Sequence, residues 1–192
     1  SMSDTTGTDP SRRTGTGPTG WHVLLLASLD RSRERLARAL DGVSAEQASA
    51  RPVDELAPRI DSLAWLAWHT AREIDLQVSA LSGSEPLWTA ADFVGRFALP
   101  LPTDTEDWHH TPAESAQVTV TDTTLLDDYL DAAYALVREY VEGLTEADLD
   151  EAVDEWQNQP VTLGVRLSSV IDDAAQHAGA AVSARRLLGL PG

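Results

Sequence analysis

Apolar residues return every three or four positions along most of this chain, the spacing of a helix that buries one face. Trp21, Leu25, Leu29, Leu36, Leu40 and Val43 draw the first such stripe, with Arg and Glu between them and Gly42 near its end. Ser44, followed by Gln47, has the form of a capping box and predicts a short helix directly afterwards. A second long helix is expected over 60–82, where Ile60, Ala64, Ala67, Ala71, Ile74, Val78 and Leu81 share a face and Gly83 supplies the stop. A third is expected from Leu125 to Leu144 on Leu126, Leu130, Ala133, Val137 and Val141, with Tyr129, Tyr134 and Tyr140 adding bulk around it. The last runs from about Thr162 to Leu188 on Leu167, Val170, Ala174, Ala178, Ala181, Arg185 and Leu188.

The segment between the second and third long helices loses this rhythm. It carries Pro86, Pro100, Pro102 and Pro112 and reads as a long excursion rather than a core element, of the length that usually serves as a functional loop or lid. Within it "TPAE", Thr111 to Glu114, offers a cap, a proline at the first helical position and a glutamate three after the cap, so a short helix starts there. "EGLTEADLDEAV" repeats the grammar of "DGVSAEQASA" after the first helix and predicts a short acidic helix before the last long one. No stretch alternates convincingly enough for a strand. Four long helices without strands give an all-α fold, a four-helix bundle with one irregular excursion, over residues 20–192. Residues 1–19 are rich in Gly, Thr, Ser and Pro, cannot repay the entropy of ordering, and are expected to form a disordered tail that begins with the Ser-Met remnant of a cleaved tag.

Composition narrows the function classes. The 192 residues carry a formal charge of -17, which repels nucleic acid and anionic membrane surfaces alike. No run reaches the roughly 18 apolar residues of a membrane span, and no secretory pattern opens the chain, so a soluble cytoplasmic protein is expected. All 14 basic residues are arginine. Cysteine is absent, which excludes disulfides, thiolate metal ligands and a cysteine nucleophile, and leaves any thiol chemistry to a thiol brought from outside.

Polar residues set into apolar stripes are the candidate chemistry. On the last helix Asp173 and His177 stand four apart at the edge of the alanine stripe, neighbours on one face, so a carboxylate and an imidazole can converge on a point. A catalytic metal commonly takes three protein ligands and keeps one position open. His69, in "SLAWLAWHTAREID", is the best third ligand, because it lies about half a turn from the main stripe of the second long helix, with Trp65 and Leu76 on its face. The bland alternatives are a satisfied core histidine at position 69 and a rim hydrogen bond or ion pair between Asp173 and His177. Glu73, one turn after His69, and His110 are candidates for general acid or base. His22 and His109 read as structural or solvated.

Taken in order, these residues resemble the DinB and YfiT-like superfamily of four-helix metalloproteins, and its mycothiol-dependent branch of maleylpyruvate isomerase and thiol transferases in particular. The resemblance rests on "SLAWLAWHTAREID", on "RFALP" and "HTPAE", and above all on "PVTLGVRLSSVIDDAAQHAGAAVSARRLLG", and spans Trp21 to Leu190. It implies that His69, Asp173 and His177 hold a divalent metal, zinc in the first place and nickel as a second possibility. It also implies mycothiol or a similar low-molecular-weight thiol as co-substrate, a small electrophilic substrate for a transferase or isomerase, and a homodimer. The competing expectation is a non-enzymatic DinB-like stress or small-ligand binding module with a structural or absent metal.

Overall fold

The computed structural model describes residues 20–106 and 109–192, so the expected tail at 1–19 lies outside the described residues. In chain order the elements are α1 (Trp21–Leu40), α2 (Ala45–Ser49), α3 (Leu63–Ser82), α4 (Leu87–Ala90), α5 (Phe93–Phe97), α6 (Pro112–Ser115), α7 (Thr124–Glu142), a 3-10 turn (Ala147–Asp150), β1 (Ala152–Trp156), β2 (Gln159–Thr162) and α8 (Leu163–Leu187). The four long helices α1, α3, α7 and α8 form the expected bundle: α1 lies along α8, and α3 packs on both α7 and α8. Leu29, Leu36, Leu63, Ile74, Leu126, Leu130 and Leu167 fill its interior. No helix among the described residues is long and apolar enough to cross a membrane.

Helix starts follow the capping chemistry of the sequence. Both predicted capping boxes form, Ser44 with Gln47 at α2 and Thr111 with Glu114 at α6. The start expected at residue 60 moves to Leu63, because Ser62 is the N-cap and its hydroxyl accepts from the Trp65 amide at 3.0 Å. Ile60 matches the stripe by spacing alone; it precedes the helix and is 40% exposed. Gly83 ends α3 in the left-handed conformation, φ 68°, which glycine adopts without a Cβ penalty.

Two expectations are corrected. The stretch before α8 is an antiparallel hairpin and not a helix: after a single 3-10 turn, β1 pairs with β2 in a register that joins Asp154 to Val161 and Trp156 to Gln159. Gln157 and Asn158 both take positive φ, 50° and 61°, the tight primed turn that matches strand twist. Both strands are largely exposed, so no buried face imposes the alternation that would have revealed them. The excursion, in turn, belongs to the core. Trp88, Phe93 and Phe97 surround the Tyr129 ring of α7 at centroid distances of 5.7, 4.4 and 5.9 Å. A carboxylate fixes this segment to the bundle: fully buried Asp75 of α3 accepts from the amides of Leu87 (2.7 Å) and Trp88 (2.8 Å), from the Tyr129 hydroxyl (2.7 Å) and from Ser79 (3.1 Å). Burial, and then the Asp75 charge beside it, push the Tyr129 phenol far above its ordinary value, so it stays a donor.

Candidate metal centre

α3 is the bundle's most enclosed helix, buried on nearly every side from Leu63 to Asp75, which is why its alanine stripe marks only one of its packed faces. His69 is 6% exposed and faces α8. Ala174 and Ala178 keep α8 close, since neither holds a bulky side chain between the helices. This approach brings the His69 and His177 rings to a centroid distance of 3.9 Å. Asp173 Oδ2 stands 3.6 Å from His69 Nε2, and Asp173 Oδ1 stands 3.4 Å from His177 Nδ1. One ligand atom from each of the three residues falls within 4.8 Å of the others.

Asp173 approaches His177 through both its main chain and its carboxylate. His177 Nδ1 lies 2.7 Å from the backbone carbonyl of Asp173, so the proton sits on Nδ1 and Nε2 is left with its lone pair. The main chain of Asp173 therefore accepts the Nδ1 hydrogen bond, with its Oδ1 3.4 Å from the same nitrogen. Asp173 Oδ2 is buried and accepts no hydrogen bond. Burial alone would raise this carboxyl; the His177 and His69 imidazoles that face it, at 3.4 and 3.6 Å, outweigh that and hold the group well below the usual carboxylate range. Two imidazoles and an ionised carboxylate, converging from facing helices with a buried oxygen in want of a partner, fit a divalent cation.

The triad opens on a cavity of about 280 Å3 walled by Glu73 and Gln77 of α3 and by Ser169 and Val170 of α8. Glu73, 7% exposed, lines the same cavity as the triad. His110 does not. Its Nδ1 accepts from the Trp65 indole at 3.3 Å, its Nε2 meets Thr105 Oγ1 at 2.6 Å, and its ring stacks on Trp68 at 5.7 Å. It fastens the excursion to α3 and borders a separate cavity of about 120 Å3. His22 sits 3.0 Å from the Leu144 carbonyl at the bundle's edge, and His109 is exposed.

Two further residues lie around the triad. Trp65 stacks on His69 at 4.5 Å with planes 8° apart and fixes the ring from behind. Asp61 borders the smaller cavity; burial raises its carboxyl above the ordinary value against the pull of Ser115, Arg51 and the two triad histidines. Trp65 was visible as a neighbour of His69 four positions away, whereas Asp61 lies in irregular chain with no periodicity to place it.

The comparisons with known proteins agree with this architecture. A crystal structure of a conserved protein from Enterococcus faecalis superposes with a TM-score of 0.83 at 46% identity, covering 89% of this chain and 98% of that one. No curated protein matches. The family model described as Mycothiol-S-transferase matches residues 24–189, almost the whole bundle, and the chain belongs to that family.

Proposed function

We propose that the chain is a divalent-metal-dependent S-transferase that joins mycothiol to a small electrophile. The observation that carries this reading is the convergence of His69, Asp173 and His177 on the floor of a cavity, with Asp173 Oδ2 buried and accepting no hydrogen bond. These three residues would hold the metal, zinc in preference and nickel as the alternative. Such an ion, when bound, supplies Lewis acidity that lowers the pKa of a thiol or water into the neutral range.

The chain's own residues supply the rest. His177 presents Nε2 because Nδ1 is committed to the Asp173 carbonyl. Trp65 prevents the His69 ring from turning. Glu73, on the cavity wall one turn beyond His69, is placed to take the thiol proton. The thiolate then forms a carbon–sulfur bond with the electrophile, whose leaving group departs with the bonding electrons. The missing cysteine fits this scheme, since the thiol is a substrate.

Metal content measured on protein purified without chelator or added nickel, alongside conjugation of mycothiol to 1-chloro-2,4-dinitrobenzene, tests the reading. Wild type is expected to carry about one ion per chain and to release chloride only when thiol is present. His69→Ala and His177→Ala should lose both. Equal metal content in all three proteins would remove the triad from the mechanism.

A further inference from the structure

A second cavity, of about 710 Å3, lies between the C-terminal turns of α1 and α8. A step of two residues turns a helix by about 200°, so Gly179, which lines this cavity, faces away from His177 and the triad. Four arginines surround it, Arg35 and Arg38 from α1 with Arg185 and Arg186 from α8. In a chain of 31 acidic and 14 basic residues, such a cluster of one sign calls for a reason. Elsewhere on the bundle arginines pair with aspartates: Arg33 with Asp127 and Asp131, Arg96 with Asp128, Arg138 with Asp30, and Arg166 with Asp154. None of the four around the cavity forms an ion pair among the described residues.

Part of this charge answers the helix ends. Two helix C-termini supply about half a negative charge each, and Asp41 is the one acidic side chain on the wall among the described residues. Four guanidiniums exceed both together. Arg185 is held by neutral groups alone: its Nε donates to the Pro191 carbonyl at 2.7 Å, and its Nη1 donates to the carbonyls of Asp41 at 2.6 Å and of Arg38 and Ala39 at 3.2 Å each. Its charge is fixed in place and not cancelled. The floor of the cavity is irregular at Gly179. Glycine inside a helix is destabilising relative to alanine, and packing does not call for it here, since a Cβ at this position would meet no atom within 4 Å. The missing side chain leaves room beside Val182.

We propose that this cavity binds a small organic phosphate monoester, with its phosphate among the arginines and its body over Gly179 and Val182. A guanidinium fork matches phosphate oxygens two at a time, and a phosphate monoester brings about two negative charges and three acceptor oxygens. A phosphate group alone would leave most of 710 Å3 empty, whereas that volume falls within the range of about 300–1,000 Å3 that encloses a whole small ligand.

Adenosine 5'-monophosphate and glucose 6-phosphate, titrated calorimetrically into the full chain in phosphate-free buffer and compared with inorganic phosphate, form the test. The two esters distinguish a planar base from a sugar as the preferred body. At least one is expected to bind tenfold or more tighter than inorganic phosphate, and more weakly as salt rises. Arg38→Gln and Arg186→Gln should each weaken that binding about tenfold, and because both side chains are exposed the wild-type melting temperature should be kept. Arg185 joins the two helices and is left intact. Gly179→Leu fills the floor where a Cβ meets no neighbour, so it should weaken the ester about tenfold, leave inorganic phosphate unchanged and not lower Tm. An ester bound no tighter than inorganic phosphate, or one whose affinity survives these variants, overturns the site. Loss of ester binding in His69→Ala overturns it too, because the phosphate would then lie at the metal centre.

Discussion

Replacing Asp75 by alanine should cost the fold more than any other single polar change in α3. The carboxylate accepts four hydrogen bonds, and its loss would strand the donors unequally. The Ser79 hydroxyl can turn to its own helix and the half-buried Leu87 amide can reach water. The Trp88 amide and the Tyr129 hydroxyl have neither recourse, since Trp88 is 2% exposed and Tyr129 is 0%. Two buried donors left unsatisfied cost about 1–3 kcal/mol each. With the void of the missing carboxylate added, the expected loss is about 3–5 kcal/mol, a fall in Tm on the order of 10 °C for a chain of this size. Thermal and urea denaturation of Asp75→Ala, Tyr129→Phe and the double variant form the assay. Tyr129→Phe alone should cost about 1 kcal/mol, and the double variant should be more stable than the sum of the singles predicts, because one stranded donor has been removed with its acceptor. Additive losses, or an Asp75→Ala variant within 1 kcal/mol of wild type, would refute the account.

Zinc at about a hundredfold over its Kd should stabilise wild type by about 2.7 kcal/mol, and His69→Ala should show no metal-dependent rise in Tm under the same titration. Asp173→Asn removes the charge but leaves the backbone carbonyl that orients His177, so metal affinity should fall at least tenfold while the His177 tautomer, read by nitrogen NMR, stays unchanged. The pH dependence has a definite sign. Asp173 is held below the usual carboxylate range, so its ionised form persists, and any stability it lends is present above about pH 3.9 and lost only as the pH falls through its lower folded value. In a denaturation series the stability difference between wild type and Asp173→Asn should accordingly stay constant from pH 7 to about pH 4, and a difference that shrinks already above pH 5 would contradict this.

Much of this was legible in the sequence because the relevant signals are local. Hydroxyl caps and a left-handed glycine fix helix ends within a residue or two, and an i, i+4 pair in an alanine run lies on one face whatever the rest of the chain does. His69 required more, since placing it against His177 depends on which helices neighbour each other, and spacing alone does not state that. The hairpin was illegible for a physical reason: strands exposed on both faces carry no alternating pattern. The excursion was misread for the opposite reason. Its anchor is a single buried carboxylate twelve residues upstream of its first short helix, and proline content says nothing about such a contact.

α3 shows how one helix serves both stability and chemistry. It buries His69, Arg72, Glu73 and Asp75 within seven residues, a density of polar groups that would be ruinous if all faced one way. They do not. His69, Glu73 and Gln77, each four apart, form a row that faces α8 and the cavity. Asp75 and Ser79, also four apart, turn with Arg72 toward α7 and the excursion, where Asp75 collects its donors and the Arg72 guanidinium lies 5.2 Å from the Trp88 ring. Since the rows share a backbone but face different elements, changes in them should separate. Glu73→Gln should lower kcat for thiol conjugation at least tenfold and leave Tm within about 2 °C, whereas Asp75→Ala should lower Tm by the amount worked out above and, assayed well below its new melting point, retain its metal. A variant of either row that moved both readouts together would mean that the two faces of α3 are coupled through the helix and do not act independently.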